Sequence, residues 1–284
     1  MIRTAFCIAA LLSMPVQAFA WGQEGHSIIA EIAQRRLSKD AAEAISKLLS
    51  PDPDNPLPAF SLPSLASGAS WADDYRSGHA DTGKWHYINS PVDTAINWPG
   101  DCGAGCVVSK LEDLKKEMRC ETDPAKKIDN LKFAVHFVGD VHQPFHTVKE
   151  EEGANGVHVH MVIPGDICEG RTCLLSHEWQ NLHEVWDSTL IIKTTYAWGA
   201  YVDALERGWL KSADIAKESQ GAPLDWANEA HAIAKEMWVA EGTTLDRSYY
   251  KKAKPKVEMQ LGRAGLRLAH YLNEIYGSPA CPVN

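Results

Sequence analysis

The chain of 284 residues carries 37 acidic side chains against 28 Lys and Arg, a formal charge of −9. That balance excludes a protein that holds nucleic acid by a broadly basic surface, because such binding is mostly phosphate neutralisation by Lys and Arg. A polyanionic substrate would have to meet positive charge from another source, and bound metal is the obvious one.

Residues 1–20 read as an export signal. Arg3 supplies a short positive start, residues 5–14 are apolar but too short to cross a bilayer, and Ala18-Phe19-Ala20 has the A-x-A form that signal peptidases cut. The expected mature product starts at Trp21, has no membrane anchor, and is secreted or periplasmic. The absence of an Asn-x-Ser/Thr sequon suits a bacterial source. Cys7 leaves with the signal and six cysteines remain, an even number that suits disulfides in an oxidising compartment. Cys102 with Cys106, and Cys168 with Cys173, look like short local loops, which leaves Cys120 for Cys281.

Helical periodicity follows over residues 23–37 and 39–49, with a Pro-rich loop over 51–63. Ser109 with Glu112 reads as a capping box, and Asp123-Pro124 as an N-cap with a first-turn proline. Ile128, Leu131, Val135 and Val138 then keep an apolar helical spacing until Pro144 stops it. The alternation from Val157 to Val162 marks a strand or a short β-hairpin near 157–163. Further helical patterns cover residues 177–192, 224–239 and 256–276. The expected fold class is all-α, one mainly helical domain over 21–284, to whose core ten tryptophans contribute.

Zinc takes imidazole and carboxylate ligands, and a helix sets residues four apart on one face. His136 and Asp140 are such a pair, with His142 and His146 following around a proline; His183 and Asp187 are another. Two pairs are harder to dismiss than one. Earlier come Asp73, Asp74 and Arg76 in WADDYR, His86 in KWHYIN, and His26 in WGQEGH, five residues after Trp21. A free α-amine has a pKa of about 7.7–8.0, so the amine and carbonyl of Trp21 can chelate a metal once cleavage has exposed them. Asp74 and His142 compete with Asp73 and His146 by spacing and are read as supporting groups. His158 and His160 share a strand face but are not needed as ligands. His79, His177, His231 and His270 are read as surface or packing residues.

In this order the motifs resemble the single-strand-specific zinc nucleases of the S1/P1 family, whose all-helical fold is shared with zinc-dependent phospholipases C. The resemblance implies three Zn²⁺: one held by Asp73, His86 and His136, a second by Trp21 and His26, with Asp140 between them, and a third by His146, His183 and Asp187. It implies catalytic roles for Asp73 and Arg76, the latter on the scissile phosphate, and a base pocket at Tyr87 and Asn89. Asn155, in a loop EEGANGVHV that departs from the family's glycine pair, is expected to line the substrate cleft. Two metals roughly 3.5–4 Å apart acidify a shared water to a pKa of about 7, making a hydroxide that attacks phosphorus. The implied activity is hydrolysis of single-stranded DNA and RNA to 5′-phosphorylated products, with 3′-nucleotidase action, by a monomer. The rival reading is a phospholipase C. Asp187 in place of that family's glutamate, together with Tyr87 and Asn89, favours the nuclease.

Overall fold

Apolar residues at helical spacing set most of the architecture of the structure, a computed structural model that describes residues 21–50, 64–161, 179–195, 197–277 and 281. The export-signal reading, the Pro-rich loop and the Cys168/Cys173 pair lie outside the described residues. Helix α1 (Gln23–Gln34) buries Ile28, Ile29, Ile32 and Ala33. Helix α2 (Lys39–Leu49) starts where the Ser38 hydroxyl accepts the Ala41 amide at 3.2 Å. A short α3 (Trp71–Arg76) and a 3₁₀ segment (Ala80–His86) precede α4 (Val107–Cys120) and α5 (Pro124–Asp140).

Asp123 caps α5 with Pro124 in its first turn, as the sequence indicates. The start of α4 differs from expectation. Its N-cap is Cys106, and Ser109 is the third residue, taking the Cys106 amide at 3.1 Å. Ser109 thus serves as the third-residue partner of a capping box begun at Cys106, and the Cys102–Cys106 disulfide closes the loop just before the helix. The other expected bond, Cys120–Cys281, ties the end of α4 to the C-terminal tail.

The second half of the chain holds α6, which runs through Leu182–Glu184, a π-helical turn Val185–Thr189 and Leu190–Ile192. After it come α7 (Trp198–Arg207), α8 (Pro223–Met237) and α9 (Arg247–Tyr276). Helix α9 begins well before the expected residue 256, because Asp246 accepts the Ser248 and Tyr249 amides and the helix continues through Pro255.

The helix expected from residue 177 gives way to strand at its start. Strand β1 (His158–Met161) pairs antiparallel with β2 (Trp179–Asn181) and parallel with β3 (Thr244–Leu245), in the order β2-β1-β3. Of the alternation expected around 157–163, His158–Met161 forms one strand whose partners lie further along the chain, and residues 162–163 lie outside the described residues. All else described is helix and connecting loop, and the fold is all-α with this small sheet at one side.

Helix α1 packs along α9, and α5 lies against α1, α3, α4 and α9. Every residue from Phe133 to Val148 is buried, so the C-terminal half of α5 is enclosed on all sides. One apolar cluster runs from Trp21 to Ile275 around it. No helix among the described residues is long and apolar enough to cross a membrane.

Candidate metal centre

The enclosed end of α5 carries two polar residues that an apolar core does not accommodate without partners. His136 and Asp140 are wholly buried, and α1, α3 and the 3₁₀ segment bring His26, Asp73 and His86 to them. One carboxylate oxygen of Asp140 lies 3.3 Å from His26 Nε2. The other lies 3.0 Å from His86 Nδ1 and 3.3 Å from His136 Nε2. Asp73 completes the ring, 3.7 Å from both His86 Nδ1 and His136 Nε2. The His26 and His136 rings stack with centroids 3.9 Å apart.

A second cluster sits beside the first. His146 comes from the 3₁₀ turn Pro144–Thr147, and His183 and Asp187 come from α6, with His183 Nε2 3.3 Å from Asp187 Oδ2. The two rings are 5.0 Å apart. Ligand atoms converge in three overlapping groups: His26, Asp73 and His136; His86, His136 and Asp140; and His146, His183 and Asp187. Asp187 lies in the π-helical turn, a local widening of α6 of the kind that recurs at functional sites.

Several imidazoles are oriented by backbone carbonyls. Nδ1–H of His136 donates to Ala69 O at 2.8 Å, that of His146 to His86 O at 2.7 Å, and that of His183 to Gly153 O at 2.6 Å. This fixes the tautomer that leaves the Nε2 lone pair pointing inward. The Gly153 carbonyl is presented by a rare turn: Glu151, Glu152, Gly153 and Ala154 all have positive φ, between 47° and 69°. The three non-glycine residues each cost about 1–2 kcal/mol in that region. A Cβ on Gly153 would stand 2.8 Å from Phe145 O, so glycine is needed where the chain passes closest.

The residues fit a divalent cation. Among the described residues, both ring nitrogens of His26, Nε2 of His86 and His146, and Oδ1 of Asp73 and Asp140 are buried without a hydrogen bond. Burial, then the neighbouring histidines, holds His26 well below the usual imidazole range, and burial likewise keeps His86, His136 and His146 neutral. Burial and the Asp73 charge push Asp140 well above the usual carboxylate range. Burial is also the main cause for Asp187, opposed by a hydrogen bond from Gln143, and for Asp73. Neutral imidazoles facing carboxylates that resist ionisation are a donor set short of positive charge, and bound cations supply it.

The second set of expected residues surrounds a cleft opening onto these clusters, lined by Arg76, Tyr87, Asn89 and Asn155 together with His86, His146 and His183. The Arg76 guanidinium is 3.4 Å from Asp73 Oδ1. After His86 the chain is extended, burying Ile88 and Ser90 and turning Tyr87 and Asn89 outward. Trp21 is fully buried at the start of the described chain, and the next residue, Gly22, donates its amide to the Asp187 backbone carbonyl at 2.8 Å. Trp21 is therefore held near the second cluster.

The competing residues lie elsewhere. Asp74 is exposed. His142 is buried with Nδ1–H donating to Val138 O at 2.7 Å and Nε2 accepting from Arg267 at 3.0 Å. His158 faces Glu241, and His160 packs on Trp179. His231 is buried between Thr147 and the carbonyls of Pro91 and Thr94.

Two residues escaped the sequence reading. Gln143 donates its amide to Asp187 Oδ1 while its oxygen accepts the Phe145 amide at 2.5 Å. Its position just before Pro144, as a side chain able to cap the next turn, was the available signal. Gly139 lets His26 approach α5: a Cβ there would stand 2.7 Å from His26 Nδ1. No local pattern announces that contact.

A model of the family described as S1/P1 Nuclease matches residues 21–277. Nuclease S1 of Aspergillus oryzae is 28% identical, the alignment covering 96% of this chain and 97% of that protein. Nuclease P1 of Penicillium citrinum is 30% identical over 91% of this chain and 98% of its own length. Endonuclease 2 of Arabidopsis thaliana is 29% identical, covering 90% and 91%. The match extends over both His/Asp clusters and the helices that hold them, and the chain belongs to the S1/P1 nuclease family of phosphodiester hydrolases.

Proposed function

We propose that the chain is an exported, zinc-dependent endonuclease that cuts single-stranded DNA and RNA to 5′-phosphorylated products and also removes 3′-phosphates from nucleotides. The observation that carries the reading is the set of three overlapping His/Asp groups, of which His86, His146 and His183 line a cleft that also contains Arg76. Three zinc ions would be held by Asp73, His86 and His136; by Trp21 and His26; and by His146, His183 and Asp187, with Asp140 shared between the first two sets. When bound, zinc supplies Lewis-acid chemistry, polarising phosphoryl oxygens and acidifying water.

The protein's own side chains divide the remaining work. Asp140 directs its two oxygens to opposite sides, toward His26 and toward His86 with His136. Arg76, steadied by Asp73, offers paired N–H donors to the extra charge that develops on phosphate oxygens. Tyr87 is 38% exposed and offers a flat face to a base. Stacking there requires an unpaired base, which is the reason for a single-strand preference. Asn89 and Asn155 supply hydrogen bonds within the same cleft. The signal over residues 1–20 would deliver the chain outside the cytoplasm, and its removal would create the Trp21 amine.

The test is an activity panel on the mature protein. Heat-denatured DNA and RNA should be degraded faster than duplex DNA, and 3′-AMP should lose its phosphate. A chelator should stop all three reactions and added zinc restore them. Equal rates on duplex and denatured DNA would remove the Tyr87 stacking argument, and activity indifferent to chelation would remove zinc.

A further inference from the structure

We infer that Lys84 and Lys149 are phosphate-binding residues that grip the polynucleotide on either side of the cleaved bond, an inference that rests on the nuclease reading. Both line the same cleft as Arg76, Tyr87 and Asn89. Both are exposed, and neither ammonium has an ion-pair partner among the described residues. What sets these two apart from the other exposed lysines is their place on the cleft wall beside Arg76, whereas Arg35, Arg36, Lys110, Arg263 and Arg267 are neutralised by carboxylates away from it. In a chain of charge −9, uncompensated cations inside a cleft are where a polyanion gains most.

Their backbones are well held. Lys149 donates its amide to Ser90 O at 2.9 Å, and the adjoining Glu150 carboxylate accepts the Val92 amide at 2.9 Å. Lys84 belongs to the 3₁₀ segment that ends at His86, and its stem passes close to Gly105 in the Cys102–Cys106 loop. The two lysines bracket the outward-facing strip of Tyr87 and Asn89 along the chain: Lys84 precedes it, and Lys149 follows the turn paired to it through Ser90 and Val148. A base on Tyr87 would then have neighbouring phosphates within reach of flexible cationic side chains. The acidic side chains lining the cleft are Asp81 and Glu152, which repel phosphate, while Arg76, Lys84 and Lys149 attract it.

Charge contacts of this kind are read by salt. For single strands each neutralised phosphate contributes about 0.7 to the slope of log affinity against log salt. The experiment measures kcat/KM from 25 to about 300 mM salt for a single-stranded RNA of about twenty nucleotides and for a dinucleotide. It compares wild type, Lys84→Ala with Lys149→Ala, the corresponding double Arg variant, and Lys252→Ala as an exposed lysine on α9 remote in sequence from the cleft. The double Ala variant should lose about tenfold at low salt on the long RNA, with its slope shallower by about 1.4, and should lose much less on the dinucleotide. The Arg variant should restore the slope, and Lys252→Ala should retain it. An unchanged slope, or equal losses on both substrates, overturns the assignment. A wild-type protein that cuts neither substrate overturns the nuclease reading as well, which separates the two failures.

Discussion

Asp140 shows how much depends on single atoms in this site. It is fully buried and its two oxygens meet three histidines from three different elements, so its neighbours determine whether it can ionise. The approach of His26 depends in turn on the missing side chain at Gly139. Gly139→Ala should leave α5 intact, since alanine favours helix over glycine by about 1 kcal/mol. It should nevertheless force His26 away from Asp140, because the new Cβ would stand 2.7 Å from the ring. The expected result is a folded protein with zinc affinity about 10–100-fold lower, measured by competition with a chromogenic chelator alongside circular dichroism. Wild-type affinity would show that His26 is not held in the way described.

At the scale of elements, α5 and α6 bring the site together, and they also show which parts of it can be read in a sequence. The pairs His136/Asp140 and His183/Asp187 were legible because four-residue spacing on a helix is a local property. Gly139, Gln143 and the Ala69 and Gly153 carbonyls were not, because their roles arise from elements that meet only in the folded chain. Strand β2 spans three residues, too few for alternation to register, so its segment read as an extension of α6. The π-helical turn likewise has no signature in the residues that form it. The Cys120–Cys281 bond was legible as the pair left after two local loops, and it clamps α4 to the tail after α9. Replacing both cysteines by serine removes a cross-link across 161 residues and should lower stability by about 2–4 kcal/mol. Differential scanning calorimetry should show a lower midpoint, and a midpoint equal to wild type would mean the tail contributes no stability.

For the whole molecule, an acidic surface surrounds a cleft whose positive charge would come from metal and a few cations. The helical frame that supports this arrangement buries several phenols. Burial pushes Tyr201, Tyr249, Tyr271 and Tyr276 well above their ordinary value of about 10. Tyr271 donates to Leu111 O at 2.6 Å, and Tyr249 links Trp186 to Met237 O. A folded-state pKa above the unfolded one gives stability that is complete below about pH 10 and is lost as pH rises toward the folded value. Urea unfolding free energies should therefore fall steadily above pH 10, by up to about 1.4 kcal/mol per pH unit for each such tyrosine. A flat profile would mean these phenols ionise freely in the folded state.

Three overlapping His/Asp groups, with the amine and carbonyl of Trp21 contributing once export has exposed them, would hold three zinc ions. Elemental analysis of the mature chain beginning at Trp21, purified without chelator and exchanged into metal-free buffer, tests it directly. The account predicts close to three zinc atoms per chain, whereas a single tightly bound zinc, or none, would contradict it.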